Sequence, residues 1–429
     1  MPLFSYSSNA MMFLNENSGI DTKKLVLFGA GKIGRSFIGQ LFSRGGYEVV
    51  FVDINKDLIE ELNRKREYRV IIKSHQDEVL TIRNIRGINA EHQASVVKEV
   101  STAGIIAVSV GQKGLQGAVR MIASGLSERI RKYPEYPVDI IVAENMRNAS
   151  EYFRQELKQF LPRGFPLDSY VGIIETSIGK MVPIMLKKDL EEDILQVFAE
   201  PYNTLILDRN AFRNPIPAIV GLAPKENMKA WVDRKLFIHN LGHAAAAYTG
   251  FLYNPDFKYL YEALSVNDIH RVVREAMMQA AESLIKKYPE EFSVAMLTEH
   301  IDDLLCRFQS KALGDTIFRV GCDLSRKLGP DDRLAGAIRL ARDFNQPYDK
   351  ILLALVCASG FKATDEHGYM LPSDVEFFKY VESKKGDMLK NIIKNVCKFD
   401  IGLDRDVFRK AAEIEKNILA RGIKNLISK

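Results

Sequence analysis

Three side chains able to manage a proton sit close together in this chain. Lys235, Asn240 and His243 occur in the stretch Asp233-Arg234-Lys235-Leu236-Phe237-Ile238-His239-Asn240-Leu241-Gly242-His243. An amine, an amide and an imidazole suit proton transfer at an alcohol or a carbonyl. A lysine stripped of water around its charged form drops in pKa toward the range where it both gives and takes a proton. The asparagine amide can donate to the oxygen on which charge builds. The histidine can hold a neighbouring hydroxyl or the lysine itself. The same residues would also occur on a plain surface helix facing water, so the elements that position them carry the argument.

Charged and apolar residues interleave here at helical spacing, and Ala244 to Ala247 form a run of strong helix formers, which predicts one helix over residues 231–248. At about 100° per residue, Lys235, Asn240 and His243 fall within an arc of roughly 140°. Much earlier, the apolar run Lys24-Leu25-Val26-Leu27-Phe28 enters Gly29-Ala30-Gly31-Lys32-Ile33-Gly34, and a helical pattern follows. Strand, glycine turn and helix in that order form the dinucleotide fingerprint. Gly29 makes the tight turn, Gly31 lets backbone approach the ligand, and Gly34 allows helix and strand to pack. The pyrophosphate belongs at the start of the helix, around Ala30, Lys32 and Ile33. A second strand ends in Asp53, where a carboxylate can accept from the adenosine ribose hydroxyls and favours NAD over NADP. Asp53 is equally placed to cap a helix starting near Lys56.

Two further apolar runs, residues 103–111 and 138–143, read as buried parallel strands. The first ends in Ser109-Val110-Gly111, where Val110 is expected beside the nicotinamide half of the cofactor. The second delivers Glu144-Asn145-Met146 at its carboxyl end, where open α/β sheets bind ligands. Asn145 also suits a helix N-cap. Past the stretch Pro215-Ile216-Pro217 a boundary is expected near Pro224, after which the pattern is almost wholly helical. The expected organisation is a loose extension over 1–22, a Rossmann-type α/β domain over 23–225 and a mostly α-helical domain over 226–429, with the reaction in the cleft between the two domains.

Composition narrows the function. The chain of 429 residues carries 60 basic and 55 acidic side chains, a net charge of +5, which implies neither a nucleic-acid nor a membrane partner. No apolar run approaches the roughly 20 residues that span a bilayer. Cys306, Cys322, Cys357 and Cys397 have no metal-ribbon spacing, which points to a reducing, cytoplasmic setting and no metal.

Lys-x4-Asn-x2-His, set within Arg-Lys-Leu-Phe and Asn-x-Gly-His-Ala, resembles the active-site signature of the polyol-specific long-chain dehydrogenases, the mannitol dehydrogenase family. Glu144-Asn145-Met146 is similar to the family's Cys-Glu-Asn-Met, with Ala143 in place of cysteine. Arg307-Phe308, Arg319-Val320-Gly321, Arg326-Lys327-Leu328 and Asp332-Arg333-Leu334 resemble a further family block. The resemblance spans residues 23 to 400 and implies an NAD-dependent oxidoreductase of small sugar alcohols or sugar phosphates, a monomer or small homo-oligomer. Lys235 would be the general acid/base, Asn145 and Asn240 would hold the reacting oxygen with His243 beside them, and Glu144 would join the cofactor residues. Mannitol 1-phosphate and fructose 6-phosphate are the implied substrate pair. A polyol 2-dehydrogenase, a hexuronate reductase or a non-catalytic NAD-binding sensor are the alternatives. They stay open because Gly179 stands where the family has an acid, Lys180 replaces an arginine, and Cys322 replaces another. Lys180, Arg333 and Lys362 are the expected anion contacts, although salt bridges would account for the basic cluster around Arg333 equally well.

Overall fold

In a computed structural model, the structure describes residues 19–74, 76–146, 148–185 and 187–428. The expected loose extension lies outside them except for its last four residues, of which two already belong to strand Asp21–Phe28. The described residues form two compact units: one of residues 19–68, 82–175 and 211–220, the other of 69–81, 176–210 and everything from 221 onward. The boundary expected near Pro224 falls inside strand Leu222–Lys225 of the second unit.

The first unit is a parallel sheet in the order Ile85–Asn89, Glu48–Asp53, Asp21–Phe28, Ala103–Val108, Val138–Val142 and the strand beginning at Val171. Numbered by sequence within this sheet, that is 3-2-1-4-5-6, the doubly wound nucleotide-binding order, and ligands bind where its direction reverses. The reversal lies between Asp21–Phe28 and Ala103–Val108. Leu25, Val26, Leu27, Val49, Val50, Phe51, Ile106, Ala107 and Val108 are fully buried because helices cover both faces. Strand Ile85–Asn89 and helices Gln93–Thr102 and Ala149–Phe160 have mixed patterns that give no clear period in the sequence. Arg129 is fully buried and donates to the carbonyls of Tyr136, Ala103, Ser101 and Pro137, tying a helix end to the strand margin.

Strands Tyr68–Ile72 and Glu78–Ile82 join Val197–Ala199 in a separate three-stranded sheet. The second unit is otherwise helical. Its centre is the helical segment from Met228 to Tyr253, whose later part, Leu241–Tyr253, packs against helices Leu260–Leu264, Asn267–Lys287, Ile317–Gly321 and Asp349–Ser359. Ala244, Ala246, Ala247 and Tyr248 have no exposed area. A helix enclosed on all sides needs small residues at its contacts: a Cβ at Gly250 would stand 2.5 Å from the Cβ of Ala263. The alanine run is therefore a packing surface as well as a helix former. Beyond residue 260 the chain is mostly helical, as expected, and its last helical stretch, Arg405–Ile427, is kinked at Gly422 (φ +75°).

Candidate active site

In the first unit the glycine turn is built by contacts that tolerate no side chain. Gly29 adopts φ +98°, donates to the Val52 carbonyl at 2.8 Å, and a Cβ there would lie 2.2 Å from the Ser109 carbonyl oxygen. A Cβ on Gly34 would lie 2.0 Å from the Gly29 oxygen. Gly31 has open space in front of it, so backbone there can meet a large ligand. Lys32 is exposed at the start of the helix, Ile33 is half-buried, and residues Gly34–Gly39 wind as a π-helical turn. Asp53 accepts from the Ala30 N–H at 2.7 Å and from the Asn55 N–H at 2.9 Å. The cap of helix Lys56–Lys65 is Asn55, so Asp53 is not the cap. Each oxygen keeps a further lone pair for a ribose hydroxyl. Open backbone at Gly31 and a carboxylate beside it fit a dinucleotide.

Val110 and Glu144 come together. One oxygen of the buried Glu144 accepts from the N–H groups of Val110 at 2.7 Å and Gly111 at 2.9 Å, stapling the turn after strand Ala103–Val108. Burial pushes this carboxyl upward against those two donors. Glu144 thus shapes the loop. Asn145 is exposed just past strand Val138–Val142. It does not cap the next helix: at that helix start Glu175 accepts from Ser150 Oγ at 2.6 Å and from the Ala149 N–H.

In the second unit the expected helix exists but changes pitch at the candidate residues. Met228–Arg234 is α-helical, Lys235–Asn240 is a π-helical turn, and Leu241–Tyr253 is α-helical again. A turn that closes on the fifth residue brings positions five apart, such as Lys235 and Asn240, to the same side, and such single turns concentrate at functional sites. Lys235 is pushed down to about 8, chiefly by burial and then by the charges of Arg333 and Arg326. It lines a small cavity whose wall includes Arg234, His239, His300, Tyr202 and Arg307 and, among the described residues, no carboxylate.

His243 is fixed by a partner 72 residues along the chain. Its Nε2 lies 2.9 Å from Oδ2 of the buried Asp315, and its ring stacks on Phe308 with centroids 4.5 Å apart. Burial, then Arg319 and Arg333, holds its pKa well below the usual histidine range, so the ring is neutral. Facing a carboxylate, Nε2 carries the proton and Nδ1 keeps its lone pair. Asp315 also pairs with Arg319.

The expected anion contacts divide. Lys180 is buried, and its ammonium donates to the carbonyls of Glu200 and Tyr202 and to Asn203 Oδ1, at 3.2, 2.8 and 3.0 Å. Those bonds use all three of its donors, so it clamps a loop rather than a ligand. Lys362 is exposed and lies 5.0 Å above the Phe378 ring. Arg333 is buried, held by Asp332 at 2.8 Å, and reaches the Asn240 carbonyl at 3.5 Å, which puts its charge beside the reactive helix. Arg307 forms a buried pair with Glu200 at 2.6 Å and donates to the Gly179 carbonyl. Gly179 faces Tyr202, whose ring would be 3.5 Å from a Cβ added there.

Residues 23–221 match the sequence model of the mannitol dehydrogenase Rossmann domain, and residues 227–418 match that of the mannitol dehydrogenase C-terminal domain. The chain belongs to the mannitol dehydrogenase family. A mannitol-1-phosphate 5-dehydrogenase of Buchnera aphidicola subsp. Acyrthosiphon pisum (strain APS) is 31% identical over 377 residues, covering 87% of this chain and 94% of the relative. One of Lactococcus lactis subsp. lactis (strain IL1403) is 30% identical over 333 residues, covering 77% and 85%. Among solved structures, Pseudomonas fluorescens mannitol 2-dehydrogenase, in a ternary complex with NAD and D-mannitol, superposes with a TM-score of 0.71 at 15% identity over 95% of this chain and 94% of that one. A D-sorbitol dehydrogenase superposes at 0.78 with 16% identity over 95% of both chains. The fold of this family member is accordingly a Rossmann-type parallel sheet domain followed by a helical C-terminal domain, and no described helix is long and apolar enough to cross a membrane.

Proposed function

We propose that this member of the mannitol dehydrogenase family is an NAD-dependent dehydrogenase that interconverts a sugar alcohol phosphate and a ketose phosphate, D-mannitol 1-phosphate with NAD+ and D-fructose 6-phosphate with NADH. Lys235 carries the reading: a lysine in a cavity without a carboxylate, lowered to about 8, sits where it exchanges protons near neutrality. The names of the sequence relatives support the phosphorylated substrate.

In the oxidative direction neutral Lys235 takes the hydroxyl proton. Bound NAD, for which Gly29, Gly31, Gly34 and Asp53 are the proposed contacts, supplies the acceptor for hydride from the same carbon. Asn240 donates to the oxygen as charge gathers on it, and Asn145 is the second donor that the family resemblance implies. His243, neutral and held by Asp315, offers Nδ1 to an adjacent substrate hydroxyl, and Arg333 supplies positive charge beside the helix. Amine and amides do the work that a Lewis acid does in other alcohol dehydrogenases, so turnover is expected to survive dialysis against EDTA. Gly179, where the family's acid is missing, keeps two rivals open, a hexuronate reductase and a mannitol 2-dehydrogenase.

An NADH-oxidation assay over fructose 6-phosphate, fructose, fructuronate and tagaturonate separates these readings. Preference for a plain sugar or a hexuronate would reject the phosphate assignment. NADH binding with no turnover on any of them would favour a sensor. A cytoplasmic location and a monomeric or small homo-oligomeric state belong to the same proposal, to be checked by fractionation and light scattering.

A further inference from the structure

Arg234 precedes Lys235 in the chain, and the mechanism above leaves it unused. It lines the same cavity of the second unit, with Tyr202 and His300. Its guanidinium lies over the Trp231 ring at 4.4 Å, and the Lys225 ammonium approaches that ring at 4.0 Å. Arg234 Nε is buried and finds no hydrogen-bond acceptor among the described residues. A buried guanidinium N–H without an acceptor is rare enough in proteins to require an explanation.

Apart from Lys235, which is assigned to proton transfer, the other buried cations in and near this wall are committed. Arg307 spends its fork on Glu200, the Gly179 carbonyl and Asp303, and Lys180 spends three donors on its loop. His300 is pushed down to about 3 by burial and then by Arg234 and Arg307, so it is neutral and able to accept or donate a hydrogen bond. Burial lowers Arg234 to about 10, which leaves it charged at neutral pH. A planar cation held on an aromatic face, with a donor left over, matches the oxygens of a small anion.

We propose that Arg234, next to Lys235 in the chain, receives the terminal oxyanion of the substrate through its unanswered Nε–H. The chemistry is that of a phosphate monoester or a carboxylate. The proposal rests on the dehydrogenase reading and adds to it the residue that selects a charged substrate over a neutral one.

The test compares the wild type with Arg234→Met and Arg234→Lys at saturating NADH, reading kcat/KM for fructose 6-phosphate, fructuronate and fructose. In Arg234→Met the preference for the charged substrate over fructose is expected to fall roughly 10- to 100-fold, the scale of a lost charged hydrogen bond, mostly through KM. Arg234→Lys should recover part of it. Loss of preference for fructose 6-phosphate identifies a phosphate, and loss for fructuronate a carboxylate. Equal losses on charged and neutral substrates, or no loss, overturn the proposal. If the wild type turns over none of the three, the dehydrogenase reading fails, and inorganic phosphate then decides the subsite. Protection of the wild type from thermal unfolding that vanishes in Arg234→Met upholds it; equal protection overturns it.

Discussion

Lys235 makes the sharpest predictions of any single side chain. Replacement by alanine should lower kcat by roughly 10²- to 10⁴-fold while NADH still binds, as for other positioned acid-base groups. Undiminished turnover would end the assignment. Alcohol oxidation needs the neutral amine, so its rate should climb with pH and level off above about 8; carbonyl reduction needs the ammonium and should decline over the same range. Arg333 lowers this pKa by charge, so Arg333→Met should move both limbs to higher pH. Asp315 acts through His243 and is a positioning residue. Asp315→Asn should reduce kcat roughly 10-fold or more with little change in NADH affinity, because an amide no longer dictates which ring nitrogen carries the proton.

At the scale of elements, two short helical turns and two glycines set the geometry. The π turn Lys235–Asn240 follows an α-helical turn and precedes another, so the reactive residues obey neither period alone. A period-3.6 reading located the helix and misjudged its pitch, since the hydrophobic pattern hardly changes when one residue is inserted into a turn. Gly34→Ala would drive a Cβ against a backbone carbonyl, which has nowhere to move. NADH affinity should fall more than about tenfold with a loss of stability, measured by fluorescence titration and circular dichroism. Gly242→Ala meets the Met277 sulfur at 2.4 Å, but that side chain is flexible. Its cost should be milder, about 1–3 kcal/mol.

For the whole molecule, the buried bases govern acid stability. His239, His243 and His300 all have folded pKa values below the ordinary 6.5, with burial the first cause in each. The unfolded chain therefore binds more protons below about pH 6.5, and stability falls as pH drops from there toward the folded values. A thermal midpoint that stays flat from pH 6.5 to 4 would contradict this. The Rossmann pattern, the strand ends carrying Asp53 and Asn145, and the Lys-x4-Asn-x2-His stretch were all legible in the sequence, because each depends on near neighbours and on a repeating burial period. Which cations are spent was not legible. Lys180, Arg307 and His243 find partners 20 or more residues away, and Lys362 lies over a ring. By itself the sequence determined the fold class and the glycine turn, and it singled out the candidate trio. Only the tertiary structure decided that Lys180 is a clamp, that Asp315 holds His243 and that Arg234 keeps an unanswered donor, because whether a buried charge is satisfied depends on distances between residues far apart along the chain.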